Sequence, residues 1–295
     1  MKTSDALLWS PAGLELGEGP RWVDGRLVLV DILSGTLLEA DGPHPGDLRP
    51  TNRLEIPLGA VAPVAGQPGR WIAAAGTGVA LLDPGGVLTW LGRPVGDGPI
   101  PRRMNDGVCD PAGRFWAGCM AWDGHPGAGA LYRTGTQGQL EQVLDGLSIP
   151  NGPAFSTDGT IMYLADSAQG LVLRFPVDPT SGDLGDPVTF VVTHDGSPDG
   201  MTVDVAGNLW VAVWGAGEVR RYSPQGRHDR TVRVPAPQPT APCLGGPDGT
   251  RLYVTTARYG LPPKTYGHSG GIFVAEVDMP GIPAAAYGGV LPDAG

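Results

Sequence analysis

Four side chains that carry oxygen ligands recur at one position of a repeated sequence pattern. They are Glu18, Asn105, Asn151 and Asp199, and each lies seven or eight residues before a glycine of a predicted turn. Carboxylate and amide oxygens suit hard divalent cations such as Ca²⁺, Mg²⁺ or Mn²⁺. No histidine or cysteine occupies this position, which argues against a typical zinc site. The four residues therefore predict a cation site, if the fold brings them together.

The elements that must position these residues form a sixfold repeat. Each copy reads as a strand, a turn with glycine, a second strand rich in β-branched and aromatic residues, and a third strand. The turn glycines are 42 to 48 residues apart, at Gly25, Gly69, Gly113, Gly159, Gly207 and Gly249. This period is typical of a β-propeller. We therefore predict an all-β, six-bladed β-propeller, a single domain over residues 1–295, whose N-terminal "ALLWS" completes the last blade near Phe273.

In a propeller the first strand of each blade lines the central channel, so one repeat position points toward the axis from every blade. The predicted ring contains Glu18, Val61, Asn105, Asn151, Asp199 and Ala241. Carboxylates in a partly dry channel are costly unless they are paired or bind a metal. The ring therefore predicts a divalent metal in the central channel. The open alternative is that Glu-Gly, Asn-Gly and Asp-Gly pairs only mark turns.

Loops between second and third strands should return to the same end of the channel and surround the site. Arg103, two residues before a ring member, is predicted to point at a substrate oxygen. Trp122 and Trp214 are predicted to stack on a sugar-like ring or to pack beside strand ends. Asp106 is predicted to be a turn residue or a support for the ring.

Composition limits the possible partners and compartment. The net charge of −10 argues against nucleic acid or an anionic membrane as partner. The N-terminus lacks an apolar stretch of signal-peptide length, and no run reaches the length of a membrane span. The three cysteines form no CxxC pair and are predicted to be free thiols, buried in the case of Cys109 and Cys119. We expect a cytoplasmic, bacterial protein that is a monomer or weak homo-oligomer.

Several segments resemble the gluconolactonase/regucalcin (senescence marker protein) family. The resemblance runs from about Leu16 to Val277 and is carried by "LGEGPRW", "RMNDGVCDPAGRFWAG", "PNGPAFSTDGTIMYLADS", "PDGMTVDVAGNLWVAVWG" and "CLGGPDGTRLYVTTAR". It implies a six-bladed propeller with one divalent metal in the channel, which agrees with the repeat count. It also implies hydrolysis of sugar lactones to sugar acids.

The resemblance assigns roles to particular residues. By it, Glu18, Asn151 and Asp199 would be the metal ligands, and Asp199 would also be the general base. Arg103 and Asn105 would bind substrate. We expect Ca²⁺ in the first place, with Mg²⁺, Mn²⁺, Fe²⁺ or Zn²⁺ as alternatives. With the lactone carbonyl polarised by the metal, Asp199 would assist the attack of water.

The chain departs from the family in one segment. The family often carries a longer lid with an acidic residue between the equivalents of Met120 and Gly129, whereas here the segment reads only "AWDGHPGA". Asp123 or His125 could take the place of that acid. Trp122 and Asp123 therefore join the predicted substrate-binding residues, and the identity of the lactone is left open.

The sequence leaves three rival functions open. A metal-dependent aryl-ester or phosphotriester hydrolase usually adds a channel histidine, but none of the five histidines is in the ring register, and His194, the nearest, is predicted to lie in a loop. A non-catalytic, calcium-binding or protein-interaction propeller would need no ring of carboxylates and amides. A phosphorylated sugar lactone would need more positive charge than Arg102 and Arg103 provide.

Overall fold

The computed structural model of the chain describes residues 1–40, 44, 46, 48–96, 98–135, 138–262 and 267–291. Two short N-terminal strands, β1 (Lys2–Asp5) and β2 (Leu7–Ser10), precede the blades. The remaining strands form six sheets in which neighbouring strands are antiparallel. The prediction of an all-β, six-bladed propeller is therefore confirmed. The extent of the domain, residues 1–295, stays a prediction.

Each blade begins with its innermost strand and runs outward in chain order. Blade 1 contains β3 (Gly17–Val23), β4 (Arg26–Asp31), β5 (Thr36–Ala40) and β6 (Arg49–Arg53). Blade 2 contains β7 (Leu58–Pro63), β8 (Trp71–Ala75), β9 (Gly78–Leu82) and β10 (Leu88–Gly92). Blade 3 contains β11 (Arg102–Cys109), β12 (Phe115–Ala121), β13 (Gly129–Thr134) and β14 (Leu140–Leu147).

The second half of the chain repeats this order. Blade 4 contains β15 (Pro150–Phe155), β16 (Ile161–Asp166), a 3-10 helix (Ser167–Gln169), β17 (Leu171–Pro176) and β18 (Val188–Val192). Blade 5 contains β19 (Ser197–Val203), β20 (Leu209–Trp214), β21 (Glu218–Tyr222) and β22 (His228–Arg233). Blade 6 contains β23 (Pro239–Gly245), β24 (Arg251–Thr256) and β25 (Ile272–Glu276), and β2 is its fourth strand.

The N-terminal segment closes the circle of blades. In β2, Leu8 pairs opposite Phe273 of β25, as predicted from the sequence. The ring of Trp9 packs edge-on against Tyr253, with 5.5 Å between centroids. The strand β1 adds a parallel fifth strand to blade 5, which the sequence analysis did not predict. The chain start therefore joins blade 5 to blade 6.

The turns between first and second strands follow a shared sequence pattern in blades 3 and 5. The segments "DPAGRFW" and "DVAGNLW" each begin with a buried aspartate. The Asp110 carboxylate accepts hydrogen bonds from two amides of its turn and from Trp116 Nε1, at 2.9 Å. Asp204 does the same with its own turn and with Trp210 Nε1, at 3.1 Å. These bonds fix the hairpins at the channel end opposite the predicted mouth.

A C-terminal strap, residues 280–291, crosses this far end of the channel. Its amides donate to the turn of blade 6, from Gly281 N to Gly249 O at 3.0 Å, and to blade 2, from Tyr287 N to Pro63 O at 2.7 Å. The strap forms part of the wall of a cavity of about 360 Å³ at that end. It therefore ties together blades that are not neighbours in the circle.

The cysteines match the sequence prediction. All three are free and buried, at positions 109, 119 and 243. Burial raises the pKa of each of these thiols. In the described part of the chain, no helix has the length and apolar character needed to cross a membrane.

Candidate functional site

The ring residues lie on the innermost strands, where the first strands of neighbouring blades contact each other. The four polar members are nearly inaccessible, with exposed fractions of 4% for Glu18, 5% for Asn105, 6% for Asn151 and 6% for Asp199. The two apolar members, Val61 and Ala241, are equally buried. In the structure, the oxygen atoms of the four polar ring residues are therefore largely shielded from water.

Glycines let the strands bend at the ring. The pairing register shifts immediately after Glu18 in β3 and after Asn151 in β15. The following residues, Gly19 and Gly152, have φ angles of 52° and 50°, in the left-handed region that favours glycine. The Glu-Gly and Asn-Gly pairs are thus bulges inside strands and not chain-reversing turns. A bulge re-aims a side chain, here beside the channel.

A chain of hydrogen bonds joins three blades across the site. Arg103 Nη1 donates to Asn105 Oδ1 at 2.7 Å, and Asn105 Nδ2 donates to Asn151 Oδ1 at 2.7 Å. Asn151 Nδ2 donates to Ser167 Oγ at 2.9 Å, and Ser167 Oγ donates to Pro198 O at 2.6 Å. The two ring amides are therefore connected to each other, to a guanidinium and to blade 5.

The two ring carboxylates are poorly compensated. Burial raises the pKa of Glu18 well above its ordinary value, and repulsion from Asp199 and Asp106 raises it further. Burial and repulsion from Asp106 likewise raise the pKa of Asp199. Asp199 Oδ1 is inaccessible and has no hydrogen-bond donor among the residues that the structure describes. Such an atom is costly unless another partner binds it.

A third carboxylate, Asp106, supports the backbone beneath the ring. Its Oδ1 accepts from Gly107 N and its Oδ2 accepts from Gly152 N, both at 2.7 Å. Burial raises its pKa, while the charge of Arg21 and the two amides oppose that change. Asp106 therefore links β11 to the bulge after Asn151, which agrees with the prediction of a supporting role.

Arg103 lies between the ring and the mouth of the channel. Burial lowers its pKa to about 10, against the opposing influence of Glu18, Tyr259 and Asp199. Its guanidinium carbon lies 5.6 Å from the centroid of the Trp122 ring, close enough for a cation–π contact. Trp122 is half-exposed at 50%. An arginine with this pKa is positively charged near neutral pH.

The short loop after β12 is held by one hydrogen bond to the residue before β11 and by one bond within the loop. Trp122 N donates to Pro101 O at 3.0 Å, and His125 N donates to Asp123 Oδ1 at 3.0 Å. Asp123 and His125 are exposed. His194 is also exposed, in the loop between β18 and β19, as predicted. The loop between β24 and β25 is another of the loops predicted to surround the site, and its residues 263–266 lie outside the described residues.

The donor set fits a hard divalent cation. Among the described residues, no group of three or more His, Cys, Asp and Glu side chains is arranged to hold a metal ion. The predicted ligands instead combine two carboxylates, Glu18 and Asp199, with the amide of Asn151. Mixed oxygen donors of this kind are the ligands of Ca²⁺ and similar ions. The unpaired Asp199 Oδ1 is the atom that a cation would satisfy.

Comparison with known proteins identifies the family. The family model described as "SMP-30/Gluconolactonase/LRE-like region" matches residues 16–258. The chain belongs to this family. The match covers β3 to the end of β24 and thus includes the first strands of all six blades. The resemblance noted from the sequence motifs is confirmed.

Members of the SMP-30/gluconolactonase family resemble the chain over most of its length. A Bacillus subtilis protein named as a candidate sugar lactone lactonase is 36% identical over 193 residues, which are 63% of this chain and 66% of that protein. Rabbit (Oryctolagus cuniculus) regucalcin is 32% identical over 95% of this chain and 97% of its own length. A crystal structure of regucalcin from Agrobacterium tumefaciens, described as a calcium-binding protein, superposes with a TM-score of 0.89 at 30% identity, covering 97% of this chain and 99% of that one.

Two residues of this candidate site were not predicted from the sequence, Ser167 and Tyr259. Ser167 lies in the segment "DSAQG", which was predicted only to surround the mouth. Tyr259, half-exposed at 51%, belongs to the loop after β24. It opposes the lowering of the Arg103 pKa by burial. Neither has a counterpart of the same type at the same place in the other blades. The repeat register, which revealed the ring, therefore carried no signal for them.

Proposed function

We propose that the protein is a metal-dependent hydrolase that opens sugar lactones to the corresponding sugar acids. The observation that carries this proposal is the buried Asp199 Oδ1, which lacks a donor among the described residues, in a channel shared with Glu18 and two linked amides. Family membership supports lactone chemistry, and the site contains a buried carboxylate, Asp199, and a buried guanidinium, Arg103.

Glu18, Asn151 and Asp199 would hold the divalent metal ion. When bound, the ion would offset the carboxylate charges and act as a Lewis acid toward an acyl oxygen. Ca²⁺ is the first candidate because the ligands are oxygen atoms and the similar Agrobacterium protein is described as calcium-binding. Mg²⁺, Mn²⁺, Fe²⁺ and Zn²⁺ are the alternatives to test.

Asp199 would be the general base of the reaction. Burial raises the pKa of Asp199 in the metal-free protein, and a bound cation would oppose this shift by stabilising the ionised form that acts as the base. Ionised Asp199 would take a proton from the attacking water while the water oxygen bonds to the acyl carbon. The ester C–O bond of the lactone would then break, and the ring oxygen would take the proton held by Asp199 and leave as a hydroxyl group. A lactone is an activated ester, so a base of modest strength suffices.

Arg103 and Asn105 would orient the substrate. Arg103 is positively charged and lies beside Asn105, so it would stabilise negative charge on the acyl oxygen and on the carboxylate product. Trp122 would stack on the apolar face of a sugar ring at the mouth. Asp123, with one oxygen bonded to its own loop, would offer the other to a substrate hydroxyl.

The direct test is hydrolysis of glucono-, galactono-, xylono- and arabinono-lactone, followed by acid release at constant pH. Chelator-treated protein is assayed with each of the five cations added back, and spontaneous hydrolysis is subtracted. We expect turnover that depends on the cation. Cation binding without turnover on any lactone would reject the proposal and favour an aryl-ester or phosphotriester hydrolase, or a calcium-binding scaffold. The expected monomeric or weakly oligomeric state stays a prediction.

A further inference from the structure

The hydrogen-bond chain across the ring has a direction that is fixed at both ends. At one end, the guanidinium of Arg103 can only donate, so the Asn105 atom that it contacts must be the amide oxygen. At the other end, the carbonyl of Pro198 can only accept, so Ser167 Oγ must give its proton to it. Neither asparagine can turn its amide around without breaking a bond in this chain.

Ser167 determines the orientation of Asn151. Because the hydroxyl proton of Ser167 goes to Pro198 O, its oxygen is left to accept, and the Asn151 amide must present Nδ2 to it. Asn151 Oδ1 therefore faces away from Ser167, toward Asn105. An amide oxygen has two acceptor positions, and Asn105 uses one of them. The other is available for a cation.

Ser167 also contacts the backbone next to the second ligand. Pro198 directly precedes Asp199, so the bond from Ser167 Oγ to Pro198 O holds the peptide from which the Asp199 side chain projects. Ser167 itself is buried, at 7% exposed, and its backbone amide donates to Ile149 O at 3.0 Å. One hydroxyl thus bridges blade 4 and blade 5 between two ligand positions.

We propose that Ser167 is a positioning residue for the cation site. It orients Asn151 through the side-chain amide and Asp199 through the preceding carbonyl, and it does not itself bind the cation. This inference rests on the proposed function, because it requires that Glu18, Asn151 and Asp199 bind a divalent cation. Residues that support metal ligands in this way typically contribute a 10- to 100-fold effect on affinity.

The test is calcium binding by isothermal titration calorimetry on the chelator-treated full chain. Ser167→Ala should weaken Ca²⁺ binding by about 10- to 100-fold. Ser167→Thr, which keeps the hydroxyl, should bind with an affinity close to that of the wild type. The matched control is Ser148→Ala. Ser148 is also buried near the mouth, but its Oγ accepts from Gly127 N and takes no part in the hydrogen-bond chain from Arg103 to Pro198.

The outcomes separate a positioning role from a structural one. Ser167→Ala that lowers the metal-free melting temperature but binds Ca²⁺ within twofold of the wild type would overturn the inference. If Ser167→Ala fails to fold, Ser167→Thr decides: a folded Thr variant with lost affinity overturns the inference. A wild-type protein that binds none of the five cations would instead overturn the proposed function on which the inference rests.

Discussion

Glu18 in blade 1 and Asp199 in blade 5 place two buried carboxylates close enough for the charge of Asp199 to raise the pKa of Glu18, beyond the effect of burial. Burial also raises the pKa of Asp199. The arrangement is costly to the metal-free protein because each ionised group is deprived of water. It would become favourable if a divalent cation compensated both charges, as the proposed function requires. If the ring binds a cation as proposed, the metal-free protein would lose stability in exchange for cation affinity.

Replacing Glu18 should reveal this exchange. We expect Glu18→Gln to be more stable than the wild type when both chelator-treated proteins are compared at pH 8, because glutamine has no buried carboxyl group to lose a proton as pH rises. The same variant should lose most of the increase in melting temperature that added Ca²⁺ gives the wild type. Differential scanning calorimetry with and without Ca²⁺ measures both effects. A metal-free variant less stable than the wild type, with an unchanged calcium response, would contradict this explanation.

The pH dependence of metal-free stability follows from the same raised pKa values. In the unfolded chain Glu18 and Asp199 lose their protons near pH 4, whereas the folded protein retains them to higher pH. Their contribution to stability is therefore fully present below about pH 4 and is lost as pH rises toward the folded pKa values. Glu18→Gln should reduce this loss. If the stability of the wild type and of the variant changed in parallel from pH 4 to 8, Glu18 would not contribute to the pH dependence.

Asp199→Asn tests the assignment of the base. An amide can still offer an oxygen to a cation, but it cannot take a proton from water. We expect some cation affinity to remain and kcat to fall by about 10²- to 10⁴-fold. Asp145→Asn, at an exposed aspartate on β14, is the control and should keep normal turnover. Near-normal kcat in Asp199→Asn would rule out Asp199 as the base.

Trp122 should affect binding more than chemistry. Removing its ring in Trp122→Ala exposes Arg103 and takes away the stacking surface, which together correspond to about 1 kcal/mol or a five- to tenfold rise in KM. We expect kcat to change little and Trp122→Phe to restore most of the affinity. Steady-state kinetics on the best lactone of the panel measures both. An unchanged KM in Trp122→Ala would show that the substrate does not reach this ring.

Much of the fold could be predicted because each blade is specified locally. Strand, turn glycine and strand recur within about 15 residues, so the hairpins and their number can be read from the sequence. The pairing of β1 with β22 and the path of the C-terminal strap depend on contacts between distant parts of the chain. No periodicity or turn signal in the sequence indicates which blade such a segment will pair with or cross. Closure by β2 was predictable only because blade 6 lacked a strand.

The candidate site was likewise predictable only in part. The ring could be predicted because Glu18, Asn105, Asn151 and Asp199 share one repeat position. Their bulges, by contrast, looked like turns, because an Asn-Gly pair is common in both. Ser167 acts through bonds to two other strands, and a serine in a polar loop gives no sign of such partners.

The most direct test of a cation site in the channel is a calorimetric titration of chelator-treated wild-type protein with Ca²⁺, repeated on Glu18→Gln and Asp199→Ala. The oxygen-lined ring predicts one calcium ion per chain in the wild type and a large loss of affinity in both variants. Binding that survives both substitutions, or a wild type that takes up neither Ca²⁺ nor any of the other four cations, would contradict a metal-dependent site in the channel.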